Sequence, residues 1–243
     1  MNRLLEDKVA IVTGGGRGLG LSIARALAAD GARVLIVARS GESLKAGLDQ
    51  LTRSGATAEG FVGDLTQQGV PAQVVARAVE RFGRLDILVS SAGVFVWKKL
   101  LDLTEKDWSQ TIGTNLSAPF FLLQEAAKAM IAQGKGGSII NITSIHGLVG
   151  DPNVAAHCAA KFGLTGLTQS AAEALREFDI RVNAVAPGSI EPDSSEKRGD
   201  SPRRKVTQAD VATLVSFLAS DLSKSITGAT LEAFGSTRKV IKA

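Results

Sequence analysis

Short apolar runs alternate with longer stretches of helical periodicity from Lys8 onward, a pattern of βαβ units around a parallel sheet. Strands are predicted at Lys8 to Thr13, Arg33 to Ala38, Thr57 to Val62, Leu85 to Ser90, Ser138 to Thr143, Arg181 to Val185 and Ala229 to Ala233. Their runs (VAIV, VLIV, DILV, SIINI, RVNAV) are continuously apolar rather than alternating, as strands covered by helices on both faces must be. The first helix is predicted to stop at Asp30-Gly31, where glycine takes the left-handed turn, and another opens on Thr104-Glu-Lys-Asp107. The expectation is one doubly wound α/β domain over residues 1–243, with about seven parallel strands and helices on both faces.

One segment interrupts this pattern. Residues 191–205, EPDSSEKRGDSPRRK, hold no apolar residue except proline and cannot bury enough surface to offset their ordering, so a short, polar, mobile loop is expected. Helical periodicity resumes at Val206.

The composition narrows the function classes. With 44% hydrophobic and 21% charged residues, dispersed without a long apolar run, the chain reads as a globular protein with no transmembrane helix. The N-terminus passes directly into a strand without the regions of a cleavable signal, and the one cysteine, Cys158, has no partner for a disulfide. A cytoplasmic location is expected. The net charge of +4 is scattered over helices instead of massed on one segment, which argues against nucleic acid and suits an anionic small molecule.

The first strand runs into Thr13-Gly-Gly-Gly-Arg-Gly-Leu-Gly20 and then directly into the amphipathic helix LSIARALAAD. Glycines let a backbone approach a pyrophosphate, and the helix N-terminus offers free N–H groups and partial positive charge. The spacing fits T-G-x-x-x-G-x-G, with Gly14, Gly18 and Gly20 fixed, and not G-x-G-x-x-G. This is a Rossmann-type dinucleotide turn. After the second strand the chain reads Ile36-Val-Ala-Arg39-Ser, without the acid that holds the ribose 2'-hydroxyl of NAD; Arg39, with Arg17 from the glycine turn, offers guanidiniums for a 2'-phosphate. The expected cofactor is NADP(H).

Further motifs follow in order: Asp64-Leu65 in VGDLT after the third strand, Ser90-Ser91-Ala92-Gly93 closing the fourth, Asn115 in TNLSAPFF, Ser144 in IINITSIHG, His157-Cys-Ala-Ala-Lys161, and Pro187-Gly188 after IRVNAVA. In this order and spacing the chain resembles the short-chain dehydrogenase/reductase family over nearly its whole length, and its 3-oxoacyl carrier-protein reductases in particular. The resemblance implies that Thr13, Gly14, Gly16, Gly18, Leu19 and Gly20 hold the pyrophosphate side of the cofactor. Asp64 and Leu65 would lie at the adenine, Ser91, Ala92 and Gly93 along the dinucleotide, and Pro187, Gly188 and Ile190 over the nicotinamide. Both asparagines of the family's N-N-A-G motif are serine here.

The same resemblance puts catalysis on Ser144, which holds the substrate oxygen, on Lys161, which also binds the nicotinamide ribose, and on Asn115, which supports a water beside that lysine. The family's Y-x-x-x-K pattern has His157 in the tyrosine place, and the chain contains no tyrosine at all. An offset of four keeps both side chains on one helix face, so the pairing with Lys161 survives. Three readings stay open. His157 is the proton donor of a working oxidoreductase on a carbonyl or hydroxyl substrate. Alternatively the site relies on Ser144, water or His146. In the third reading the protein binds cofactor with little chemistry and acts as a sensor or through partners. The two histidines are too few to ligate a metal.

The resemblance also sets the polar 191–205 loop where the family builds a substrate lid, usually with an apolar helix, and likens ITGATLEAFG to its terminal strand without the closing Asp-Gly-Gly. Phe95, Trp97 and Leu148 are candidate pocket residues. A homodimer or homotetramer through the helices of Thr104 to Ala132 and Asn153 to Phe178 is expected on the same ground.

Overall fold

A computed structural model describes residues 3–190 and 206–235, so the expected loop at 191–205 lies outside the described residues. The elements run β1 (Val9–Thr13), α1 (Gly18–Ala29), β2 (Arg33–Ala38), α2 (Gly41–Arg53), β3 (Ala58–Val62), α3 (Val70–Phe82), β4 (Ile87–Ser90), α4 (Glu105–Ile112), α5 (Ala118–Gln133), β5 (Gly137–Ile142), α6 (Ala155–Ala174), β6 (Ile180–Pro187), α7 (Gln208–Ala219) and β7 (Thr230–Ala233). All seven strands pair in parallel in the order β3-β2-β1-β4-β5-β6-β7. This is the doubly wound architecture expected from the sequence.

Strand β1 feeds two cores because its side chains alternate across the sheet. Ala10 and Val12 of β1 pack with Ile23 and Leu27 of α1, Leu51 of α2 and Val215 of α7. Val9 and Ile11 face the other way, among Val74 of α3, Leu122 of α5 and Ala172 of α6. Both faces being covered, all five residues of β1 are buried, which is why the runs read as continuously apolar.

The boundaries move by one or two residues for local reasons. β4 starts at Ile87 and not Leu85, since the Leu85 N–H is taken 2.7 Å away by Gln133 Oε1 instead of a neighbouring strand. β6 runs on to Pro187 because β7 lies alongside, pairing Ala186 with Glu232 and Pro187 with Ala233. Asp151 Oδ1 accepts the Asn153 N–H at 2.8 Å, which holds the chain in a turn and delays α6 to Ala155. Thr104 and Asp107 form a reciprocal capping box at α4. A second box, Thr207 with Asp210, starts α7 at Gln208, while Val206 forms a parallel bridge with Ile190.

The helical stretch of Thr104 to Ala132 is broken by one π-helical turn, Gly113–Ser117, between α4 and α5. Such turns insert a residue into the helix ladder and often re-aim a side chain at a site. Here the residue re-aimed is Asn115, which is fully buried.

Candidate active site

Sheet order reverses between β1 and β4, and the chain leaves both strands into one crevice at their C-terminal ends. Thr13 ties the two exits together: its Oγ1 accepts the N–H of Ser91 at 2.9 Å and of Ala92 at 3.0 Å. Gly14 takes φ +69. A methyl on Gly14 would lie 3.1 Å from Ala92 Cα, and one on Gly20 only 2.3 Å from Gly14 O, so α1 begins in direct contact with the turn that precedes it. Among the described residues no side chain caps α1, and its first turn carries no acid, which leaves its N–H groups to a ligand.

These residues line a cleft of about 770 Å³. It gathers thirteen of the residues proposed from the sequence: Thr13, Gly14, Gly16, Arg17, Gly18, Leu19, Gly20, Arg39, Asp64, Leu65, Ser91, Ala92 and Gly93. Arg17 and Arg39 are both exposed on its wall, together with Glu42 from the first turn of α2. Asp64 Oδ1 accepts from the backbone and hydroxyl of Thr66 at 3.0 and 2.7 Å. Those two bonds, and more weakly the charge of Arg39, hold its carboxyl below the usual range. Ser90 Oγ is buried on the cleft wall with no hydrogen-bond partner among the described residues.

A second group sits beside the cleft. Gly93 joins the two, since a methyl there would lie 3.3 Å from Asn115 Oδ1. That oxygen accepts the Val94 N–H at 2.8 Å, and Asn115 Nδ2 donates to the Val94 carbonyl at 2.8 Å. The same Nδ2 lies 3.3 Å from Nδ1 of His157. His157, 8% exposed on α6, meets Phe95 edge-on at 4.8 Å and His146 at 5.8 Å between ring centroids. Burial first, then the charges of Lys161 and His146, push its pKa down to about 4 against an opposing pull from the Val94 carbonyl. The ring is neutral at physiological pH.

Lys161, one helical turn on, is buried and sends its ammonium 2.8 Å to the Ile142 carbonyl at the end of β5. Burial lowers its pKa to about 8. Ser144 follows β5 by two residues; its Oγ accepts the His146 N–H at 3.2 Å, and no hydrogen bond links it to His157 among the described residues. His146 Nε2 in turn lies 3.8 Å from Asp151 Oδ2, a neighbour that the spacing of the sequence did not suggest. Of the candidate pocket residues, Phe95 and Trp97 are more than half exposed, and their rings lie 6.1 Å apart.

Pro187 ends β6, and the N–H of Gly188 after it bonds the Ala233 carbonyl at 2.9 Å. Ile190 follows at the bridge to Val206. These three stand at the end of β6, which β5 separates from β4, and do not line the cleft that holds the glycine turn.

The short chain dehydrogenase family matches residues 8–203 of this chain. An L-rhamnose 1-dehydrogenase (NAD(P)(+)) of Azotobacter vinelandii is 38% identical over 244 residues, covering 94% of this chain and 95% of that protein. A 3-oxoacyl-[acyl-carrier-protein] reductase of Staphylococcus aureus is 37% identical over 239 residues, covering 94% and 97%. The crystal structure of an acetoin dehydrogenase from Salmonella typhimurium superposes with a TM-score of 0.85 at 34% identity, covering 94% and 95%. The chain therefore belongs to the short chain dehydrogenase family, whose members are oxidoreductases of alcohol and carbonyl groups. Among the described residues no helix is long and apolar enough to cross a membrane.

Proposed function

We propose that the protein is an NADP(H)-dependent oxidoreductase of a small carbonyl or hydroxyl substrate, with His157 standing where its family places tyrosine. The observation that carries the reading is the buried Asn115–His157 pair with Lys161 below it, set directly beside a glycine-lined cleft of dinucleotide size. The cleft fits such a cofactor in its own right. Gly14 and Gly20 leave no room for side chains, and among the described residues the α1 N-terminus is uncapped and Ser90 Oγ lacks a partner.

In this reading the turn of Gly14, Gly16, Gly18, Leu19 and Gly20, fixed by Thr13, holds the pyrophosphate. Arg17 and Arg39 hold the 2'-phosphate, against the like charge of Glu42. Asp64 and Leu65 flank the adenine, Ser91, Ala92 and Gly93 the central riboses, and Pro187, Gly188 and Ile190 the nicotinamide. Lys161 bonds the nicotinamide ribose. Bound there, the nicotinamide supplies or takes up the hydride. Ser144 and His157 hydrogen-bond the substrate oxygen, where charge develops during hydride transfer, and Asn115 orients His157. Exposed Trp108, Phe120, Phe121 and Phe162 on α4, α5 and α6 supply an apolar surface for a homodimer or homotetramer.

The test is steady-state NADPH oxidation against a panel of ketones, aldehydes and 3-oxoacyl thioesters, with His157→Ala, His157→Tyr and Ser144→Ala in parallel. The parent is expected to turn over, with His157→Ala and Ser144→Ala lowered by about 10²-fold or more. A parent without turnover that gains it on His157→Tyr overturns this reading in favour of a dinucleotide-binding protein with little chemistry, for which the depressed basicity of His157 is the supporting observation.

A further inference from the structure

The Asn115 amide has one orientation compatible with the backbone around it. Its oxygen faces the Val94 N–H and its nitrogen faces the Val94 carbonyl, both at 2.8 Å. Reversing the amide would set two donors against each other on one side and two acceptors on the other. The group facing His157 Nδ1 at 3.3 Å is therefore an N–H, and a nitrogen that receives an N–H has to offer its lone pair.

We propose that Asn115 is a positioning residue that fixes His157 as its Nε2–H tautomer, so that the ring presents a hydrogen-bond donor, not a basic lone pair, to the reacting oxygen. The inference rests on the reading of His157 as a site residue. Phe95 meets the ring edge-on at 4.8 Å and His146 at 5.8 Å between ring centroids. The Val94 carbonyl accepts from Asn115 Nδ2 at 2.8 Å, and its second lone pair is the competing acceptor that would favour an Nδ1–H.

This tautomer decides where the proton of the reaction goes. In carbonyl reduction the oxygen gains negative charge, which an Nε2–H stabilises while the alkoxide takes its proton from water and leaves hydroxide. In alcohol oxidation the same steps run backward: hydroxide takes the hydroxyl proton and the Nε2–H holds the alkoxide that gives up hydride. The ring itself does not exchange the proton in either direction.

The experiment is two-bond 15N–1H correlation on the cofactor-free protein with 15N-labelled histidine at pH 7.5, the two histidines being distinguished by a His146→Gln variant. For His157 the expected spectrum has Nδ1 in the unprotonated range and Nε2 in the N–H range. Asn115→Asp, which turns the facing donor into an acceptor, is expected to invert that pattern and raise the His157 titration by at least about one pH unit. An Nδ1–H in the parent overturns the proposal, as does an unchanged His157 pattern in folded Asn115→Asp; if that variant fails to fold, the parent spectrum decides alone. The catalytic reading fails separately: a parent with the Nε2–H tautomer and no turnover keeps this inference and loses that one. Turnover that depends on His157 with an Nδ1–H does the reverse.

Discussion

The ammonium of Lys161 lies 2.8 Å from the main-chain carbonyl of Ile142, so a buried charge ties the second turn of α6 to the last residue of β5. Burial lowers its pKa from 10.5 to about 8, so at neutral pH the folded protein still carries the charge and bears the cost. For a base with a depressed pKa the penalty is complete below about 8 and relieved as pH rises toward 10.5. Lys161→Met is therefore expected to abolish turnover while leaving the protein no less stable than the parent, against the usual loss on changing a buried residue. Thermal melts at pH 7 check this, and a large fall in Tm would refute it.

His157 gives a second pH dependence of known sign. Its folded pKa of about 4 lies below the ordinary 6.5, so below pH 6.5 the unfolded chain takes up a proton that the folded one refuses. Stability is full above 6.5 and falls as pH drops toward 4, by about 2 kcal/mol once solvent screening of the site is allowed for. Asp64 and Asp107, both held below the usual carboxylate range, lose stability in the same direction at lower pH. The discriminating quantity is thus the difference between parent and His157→Gln in urea unfolding at pH 7 and 4.5. The variant is expected to lose less, and equal losses would count against a buried neutral ring.

Gly20→Ala puts a methyl 2.3 Å from the Gly14 carbonyl oxygen, both atoms belonging to rigid backbone. The turn and the helix have to separate, which is expected to destabilise the fold by about 1–3 kcal/mol and to weaken dinucleotide binding by at least about tenfold. NADPH fluorescence titration reads the second effect. Unchanged affinity would mean that the turn does not hold the pyrophosphate.

Arg39→Ala is expected to weaken NADPH by about tenfold or more while leaving NADH nearly unchanged, the loss of one charged hydrogen-bond partner being about 1.5–3 kcal/mol. Glu42→Gln, on the same wall of the cleft, removes a like charge and is expected to move the preference the opposite way. KM ratios for the two cofactors test both variants. A preference that neither substitution alters would argue against a 2'-phosphate subsite.

The fold was legible because strands with two covered faces have to be apolar throughout, as in VAIV and VLIV, and because capping pairs such as Thr104 with Asp107 mark helix ends locally. Strand limits drifted where a distant side chain competed for the backbone, as Gln133 does at Leu85. The glycine turn was equally readable, since its constraint is steric and lies within eight consecutive residues.

By itself, then, the sequence determined the layered sheet, the phosphate-holding turn and the identity of the residue four places before Lys161. Its protonation was decided elsewhere. The basicity of His157 depends on burial first and then on the charges of Lys161 and His146, and its Nδ1 faces an amide 42 positions away, carried by one π-helical turn and locked by the Val94 backbone. The reason is physical: periodicity and steric limits act between neighbours in the chain, whereas hydrogen-bond direction and desolvation are properties of whatever packing brings together.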